Sequence, residues 1–312
     1  MRFNRNSIHA LFVLSLPLIV AALGLGLPAA VALVLVTLLW RWALTLAGLL
    51  SPEKGAELVL ETISASHFVE KVRWSLDRLG IPYEERHNVG TIGAFFVGRT
   101  VPRLHIRTGA VTSVIGDSPA ILRYLWGRYA AQCGARAEFL RPSVAALALE
   151  TEIDRYGVLL QQWIYHHILP DRKLSLHVWG YKDPTLPGWQ RVAIFVLFPL
   201  IRVMMRRAFR LRPGSHERTV EKIESFLQQM ENRLGDERKG LLGDEQMTFV
   251  DIAFAALSGI WVWPAQYGGG RATAVRPLDD QYPESLAIEV QRWRQSFPRV
   301  TAFVERLYET ER

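Results

Sequence analysis

This chain carries one cysteine, Cys133, and eight histidines, which narrows the metal and redox chemistry open to it. A lone cysteine cannot close an intramolecular disulfide, a usage that fits a reducing compartment. Nor can it build a structural zinc site on several thiolates. His166 and His167 adjoin on a helical stretch that also holds Trp163 and Tyr165. Adjacent residues on a helix do not face the same way, so no metal is expected at this pair. Two further positions put a hydroxyl where a helix begins. Ser66 precedes one apolar-periodic run and Ser118, followed by Pro119, precedes another; a hydroxyl there can satisfy free backbone N–H groups.

The charge balance points to an anionic partner. Thirty-seven lysines and arginines against 30 acidic residues give a net +7. The basic residues form no aromatic-interleaved stripe and no nucleic-acid motif appears, so a nucleic-acid role is not expected. Anionic lipid is the simpler account. Residues 8–50 are almost wholly apolar, with Arg41 the one full charge. That run is too long for one span of about 20 residues, and Gly24, Gly26 and Pro28 interrupt it. Residues 1–52 therefore read as a membrane anchor, a hairpin of two spans at 8–23 and 29–49. Arg2 and Arg5 precede the first span, and Arg41 and Lys54 mark the far side of the second. The positive-inside rule then puts both ends, and the remainder of the chain, in the cytoplasm; Arg41 can snorkel beside Trp40 and Trp42. A secretory signal cut near Ala29 or Ala30 is the rival reading, and a single tilted span the third.

After Pro52 the texture changes. Residues 57–62 alternate as a strand, and 68–79 place Val72, Leu76 and Leu79 on one helical face, with Gly80 and Pro82 to end it. A strand at 83–88, a hairpin at 103–107 and 111–115 around Thr108-Gly109, and a helix from Ser118 to about Tyr129 complete a small mixed sheet with helices packed on it. Residues 130–141 read as a linker. Beyond it only helical periodicity appears: 142–168 before Pro170, 190–210, 215–234, 249–259, and 284–307 broken at Pro298. The stretch 192–205 is strongly apolar and leads into Arg206, Arg207, Arg210 and Arg212. It is too short to span a membrane; it fits either an interfacial helix or a core helix with a basic end.

Three segments, in order and at suitable spacing, resemble the glutathione transferase superfamily. Ser66-His-Phe-Val-Glu-Lys-Val-Arg-Trp-Ser-Leu-Asp-Arg-Leu-Gly-Ile-Pro-Tyr83 is similar to its first helix and second strand, Val101-Pro102 to its cis-proline, and Gly116-Asp-Ser-Pro-Ala-Ile-Leu-Arg-Tyr-Leu125 to its glutathione-recognition turn. Leu242-Gly-Asp-Glu-Gln-Met-Thr-Phe-Val-Asp-Ile-Ala-Phe254 resembles the buried helix start of its second domain, with Thr248 and Asp251 as a capping box. The resemblance implies an α+β thioredoxin-like domain over 57–130 and an all-α domain over 142–312, behind the membrane anchor.

It also implies a site. Ser66 falls at the catalytic position of serine-type members, where a hydroxyl can donate to the glutathione sulfur; the helix N-terminus favours thiolate too. Ser64 is the alternative, and a plain N-cap role for Ser66 another. Val101, before Pro102, would offer its backbone to the cysteinyl unit, while Asp117 and Ser118 would hold the γ-glutamyl end. His67 stands where many members carry proline and would bring an imidazole to the edge of the site. Arg99 is set to meet the glycyl carboxylate or simply to be solvated; Trp163 and Tyr165 would line an acceptor pocket or belong to the core. With serine at the catalytic position and Cys133 beyond the domain's last helix, thiol–disulfide reductase chemistry is not expected. The implied function is a glutathione transferase acting on a hydrophobic electrophile near the membrane, with glutathione as co-substrate, no metal, lipid contact and, as is common in the superfamily, a homodimer. The alternative is a non-catalytic membrane-anchored glutathione- or ligand-binding module.

Overall fold

A computed structural model of the chain describes residues 24, 26–50, 55–63, 65–88, 101–108, 111–235, 238–243, 246–271 and 283–312. The first expected span, the flanking Arg2, Arg5 and Lys54, and the candidates Ser64 and Arg99 lie outside them. The chain divides into two compact units, Met1–Leu58 with His105–Val114, and Val59–Leu104 with Ile115–Arg312.

In the first unit, α1 (Gly26–Leu50) is 25 residues of almost pure apolar side chains. At about 1.5 Å per residue it exceeds the ~30 Å of a bilayer's hydrocarbon core, and by length and composition it is the one single helix among the described residues that could cross a membrane. Gly24 and Gly26 both have positive φ, as a tight turn before the helix requires.

Four strands, β1 (Glu57–Thr62), β2 (Tyr83–His87), β3 (Arg103–Thr108) and β4 (Val111–Gly116), form one sheet in the order β2-β1-β3-β4. Among the described residues, the helices of this thioredoxin-like half are α2 (His67–Leu79) and α3 (Ser118–Cys133). Gly80 closes α2 in the left-handed conformation at φ 67°, which glycine adopts without a Cβ penalty. Two expectations are corrected in α3. The N-cap is Asp117 and Ser118 is the first helical residue. The helix also runs on to Cys133, and a 3-10 segment, Gly134–Leu140, follows directly. No linker separates the halves at 130–141, because Ala137, Phe139 and Leu140 are buried.

The helical half contains α4 (Val144–Ile168), α5 (Arg172–Val178), α6 (Gly188–Val196), α7 (Phe198–Ala208), α8 (Ser215–Arg233), α9 (Phe249–Val262), α10 (Glu284–Ser296) and α11 (Pro298–Thr310). The short α5 had no periodic signature; it is set by Asp171, whose Oδ1 accepts from the N–H groups of Lys173 and Leu174 at 2.7 and 3.0 Å. The expected helix at 190–210 is two, bent by 73°. Every residue of α9 is buried. It continues past Gly259, which periodicity suggested as its end. A Cβ there would sit 2.6 Å from the Tyr267 ring and 2.9 Å from the Tyr308 hydroxyl, so this glycine serves close packing, not termination. The capping box is present: Asp251 Oδ2 accepts from the Thr248 N–H and hydroxyl, and its Oδ1 accepts from the Leu241 N–H, each at 2.7 Å.

One helix joins the halves. Along α2, Lys71 Nζ pairs with Glu150 of α4 at 2.8 Å and Asp154 at 3.1 Å. The Trp74 indole donates to the Glu311 carbonyl at 2.9 Å, and Glu70 is held by Arg73 at 2.8 Å and Arg312 at 2.9 Å. All four α2 side chains are withdrawn from solvent, so their charges and donors depend on these partners.

Candidate functional site

The β1–α2 connection delivers Ser66. Its N–H donates to the Ile63 carbonyl at 2.8 Å and its carbonyl accepts from the Glu70 N–H at 3.0 Å, which fixes the backbone at the N-cap of α2. Its hydroxyl makes no capping hydrogen bond. The side chain is half-buried and faces a cavity of about 320 Å³. The preceding residue is tied from the other half, since the Tyr267 hydroxyl donates to the Ala65 carbonyl at 3.1 Å.

Val101 and Pro102 line the same cavity and their peptide bond is cis. Asp117 lines it too, from the turn between β4 and α3, with φ 77°. A non-glycine residue in that region is uncommon and is seen at ligand-facing turns. Ser118 is wholly buried and is not part of the lining; its Oγ is without a hydrogen-bond partner among the described residues. Four of the expected residues, Ser66, Val101, Pro102 and Asp117, thus converge on one hollow, and Ser118 sits just behind it.

His67 borders the cavity, but its ring is pinned. Nε2 lies 2.9 Å from the Gly157 carbonyl, and the side chain is 4 % exposed. Burial pushes its pKa down to about 4, the Gly157 carbonyl working against that trend. The ring is therefore neutral near pH 7 and donates through Nε2–H, leaving Nδ1 as an acceptor. Gly157 permits this approach: a Cβ there would meet Phe68 Cζ at 2.9 Å and Leu257 Cδ1 at 2.8 Å.

The far wall is apolar. Tyr165, Trp179, Phe209 and Ile260 line it, with Tyr165 stacked on Phe209 at 4.9 Å. Burial pushes the Tyr165 hydroxyl up to about 12. The neighbouring Trp179 indole offsets little of this, because its N–H does not reach hydrogen-bond geometry. Tyr165 is thus a neutral phenol here. Of the two roles open to it, lining or core, Trp163 takes the core one. It is fully buried, its indole donates to Glu289 Oε2 at 2.6 Å, and it packs on Trp293 at 4.7 Å.

Sequence reasoning missed two features. Val158, Gln161, Gln162, Tyr165 and Ile168 of α4 all face the cavity, a helical stripe whose i, i+3, i+4, i+7 spacing was available to reading. The second is a buried charge cluster behind Asp117: Lys71, Glu150 and Asp154, with Arg123 at 3.6 Å from Glu150. Burial raises the Asp154 pKa, Lys71 opposes this, and Glu150 and Asp117 add to it. Nothing local announces such a cluster.

His167, His216 and Glu289 bring three potential metal-ligating atoms within 4.8 Å of one another. Their facing atoms hydrogen-bond to one another. Glu289 accepts from His216 Nε2 at 2.7 Å and His167 Nε2 at 3.1 Å, and these bonds with that of Trp163 outweigh burial to hold its carboxyl well below the usual range. The second imidazole comes from α8 and not from the neighbour His166, which stacks on His216 at 4.0 Å.

Two family descriptions match the sequence: "Glutathione S-transferase, N-terminal domain" over residues 60–133, and "Glutathione S-transferase, C-terminal domain" over 213–306. Among solved structures, a glutathione S-transferase from Methylobacterium radiotolerans in complex with glutathione sulfonate is similar at 18 % identity, covering 81 % of this chain and 91 % of that one, with a TM-score of 0.45. Glutathione transferase URE2P8 from Phanerochaete chrysosporium, with oxidized glutathione, is similar at 13 % identity, 83 % and 96 % coverage and a TM-score of 0.45. Rice GST1 in complex with glutathione follows at 18 %, 83 % and 96 %, and 0.38. No protein of curated function matches the chain.

Proposed function

Because the chain belongs to the glutathione transferase superfamily, we propose that its cavity takes glutathione and that Ser66 activates the thiol for attack on a hydrophobic electrophile. One observation carries the reading: the Ser66 hydroxyl, not used as a cap, faces the hollow that the cis Val101–Pro102 peptide and Asp117 also line. In this reading Ser66 donates to the sulfur and, with the positive end of α2, stabilises thiolate over thiol. Glu70 lies in the first turn of α2, where a free carboxylate would oppose that charge. Arg73 and Arg312 neutralise it.

The Val101 backbone would pair with the cysteinyl unit, and Asp117 and Ser118 would hold the γ-glutamyl ammonium and carboxylate. Arg99, outside the described residues, is the candidate for the glycyl carboxylate. The wall of Tyr165, Trp179 and Phe209 suits an apolar acceptor. The thiol proton leaves to solvent, the sulfur–carbon bond forms, and the acceptor takes the electron pair or expels its leaving group.

In the same reading α1 anchors the protein in a membrane with the catalytic halves facing the cytoplasm, where lipophilic acceptors partition, and the protein pairs as a homodimer. Resistance of the full chain to extraction from membranes by alkaline carbonate tests the anchor. Retention on glutathione-agarose followed by turnover of 1-chloro-2,4-dinitrobenzene tests the chemistry. Retention without turnover, unchanged in Ser66→Ala, would point instead to a binding module; no retention would remove both.

A further inference from the structure

The bent pair α6–α7 is apolar on two sides. Ile194, Phe198, Ile201 and Met205 pack inward with Trp179 and Leu186. The outer side is apolar as well: Trp189, Val192, Phe195, Val196, Leu200 and Val203 are 46–65 % exposed. A helix on a water-facing surface normally carries polar residues on that side, and large exposed apolar side chains concentrated on one short segment mark an interaction surface. At 9 and 11 residues each helix alone is too short to span a bilayer, the 73° bend keeps the pair from forming one straight span, and its inner side is packed against the helical half.

The charge around the patch says what covers it. Residues 184–216 contain six arginines and no aspartate or glutamate. Arg206, Arg207, Arg210 and Arg212, at the end of α7 and just beyond it, are exposed. We propose that α6–α7 rest on an anionic lipid surface, with the outer apolar side chains at the headgroup–acyl boundary and the arginines on lipid phosphates. Such a surface accepts two short helices without demanding a matching shape, and a tryptophan at the rim and an all-cationic flank are what it favours. A second copy of the chain fits poorly, because a two-fold contact through this segment offers no carboxylate of its own to pair with the arginines. Neither α1 nor the glutathione chemistry is needed for this contact.

The test uses the full chain reconstituted in phosphatidylcholine vesicles with and without phosphatidylglycerol. In a Cys133→Ser background, Val196→Cys carries an environment-sensitive nitrobenzoxadiazole label. Val144→Cys, 89 % exposed and outside the patch, serves as reference. The expected result is a blue-shifted Val196 label quenched by doxyl-labelled lipid in the anionic vesicles, with the Val144 label unchanged. Arg206→Gln with Arg207→Gln is expected to reduce that quenching. Trp189→Cys repeats the measurement should the first label perturb folding. A label that stays water-like in anionic vesicles overturns the proposal. So does a shift that grows with protein concentration yet is untouched by the lipid quencher, which would mean a protein partner.

Discussion

Lys71 Nζ lies 2.8 Å from Glu150 Oε1, and the two side chains are 0 % and 5 % exposed. The pair joins a helix of the thioredoxin-like half to the long helix that carries one wall of the cavity. Removing one partner of a buried ion pair leaves an uncompensated charge, typically about 3–5 kcal/mol. Lys71→Met is therefore expected to destabilise by that order in urea unfolding, because Asp154 loses its cation and Glu150 keeps only Arg123, at 3.6 Å. Lys71→Met with Glu150→Gln should recover part of the loss. A neutral effect of the single change would show that the pair contributes nothing net.

His67 predicts a pH dependence. Its folded pKa of about 4 lies below the ordinary 6.5, so the unfolded chain binds the proton first. Stability from this group is then complete above about pH 6.5 and falls as pH drops toward 4, by about 3 kcal/mol in all. Burial lowers His87 and His166 also, so the difference between wild type and His67→Gln isolates the contribution. The variant's stability should decline less between pH 7 and 4. Parallel curves would exclude the effect.

Ser66→Ala is expected to raise the pKa of bound glutathione by about one unit, a tenfold lower thiolate fraction at neutral pH. The pH profile of kcat/KM for the chlorodinitrobenzene reaction should move upward by that amount, with activity regained at alkaline pH. A uniform loss at every pH would assign Ser66 a structural role instead.

Gly157→Ala should destabilise by about 1–3 kcal/mol, as overpacking does, since the new methyl meets the Phe68 ring. Because the Gly157 carbonyl holds His67 and opposes the lowering by burial, a change that disturbs this bond should lower the His67 pKa further, visible by NMR titration. A wild-type pKa in a folded variant would mean that other contacts position the ring.

What sequence revealed follows from the range of each interaction. The stop at Gly80 and the Thr248–Asp251 box are local hydrogen-bonding devices, readable within a few residues, and the structure has both. Val101–Pro102 and the turn at Asp117 were legible through family resemblance, since no rule of periodicity assigns them a ligand. Trp163 stayed open between pocket and core because an indole's surroundings are decided by Glu289 and Trp293, over a hundred residues away. The Lys71 cluster was invisible for the same reason. Burial of a lysine can be known only once its carboxylates are placed beside it.

The partners of α2 carry a consequence for dissecting this protein. Its lysine, its tryptophan and its Glu70 all complete their pairings with residues between 150 and 312. A fragment ending near residue 133 would therefore expose unmatched ions along its own central helix. The two halves are unlike beads on a string: separately expressed pieces should gain order only on mixing, each acting as the template on which the other finishes folding.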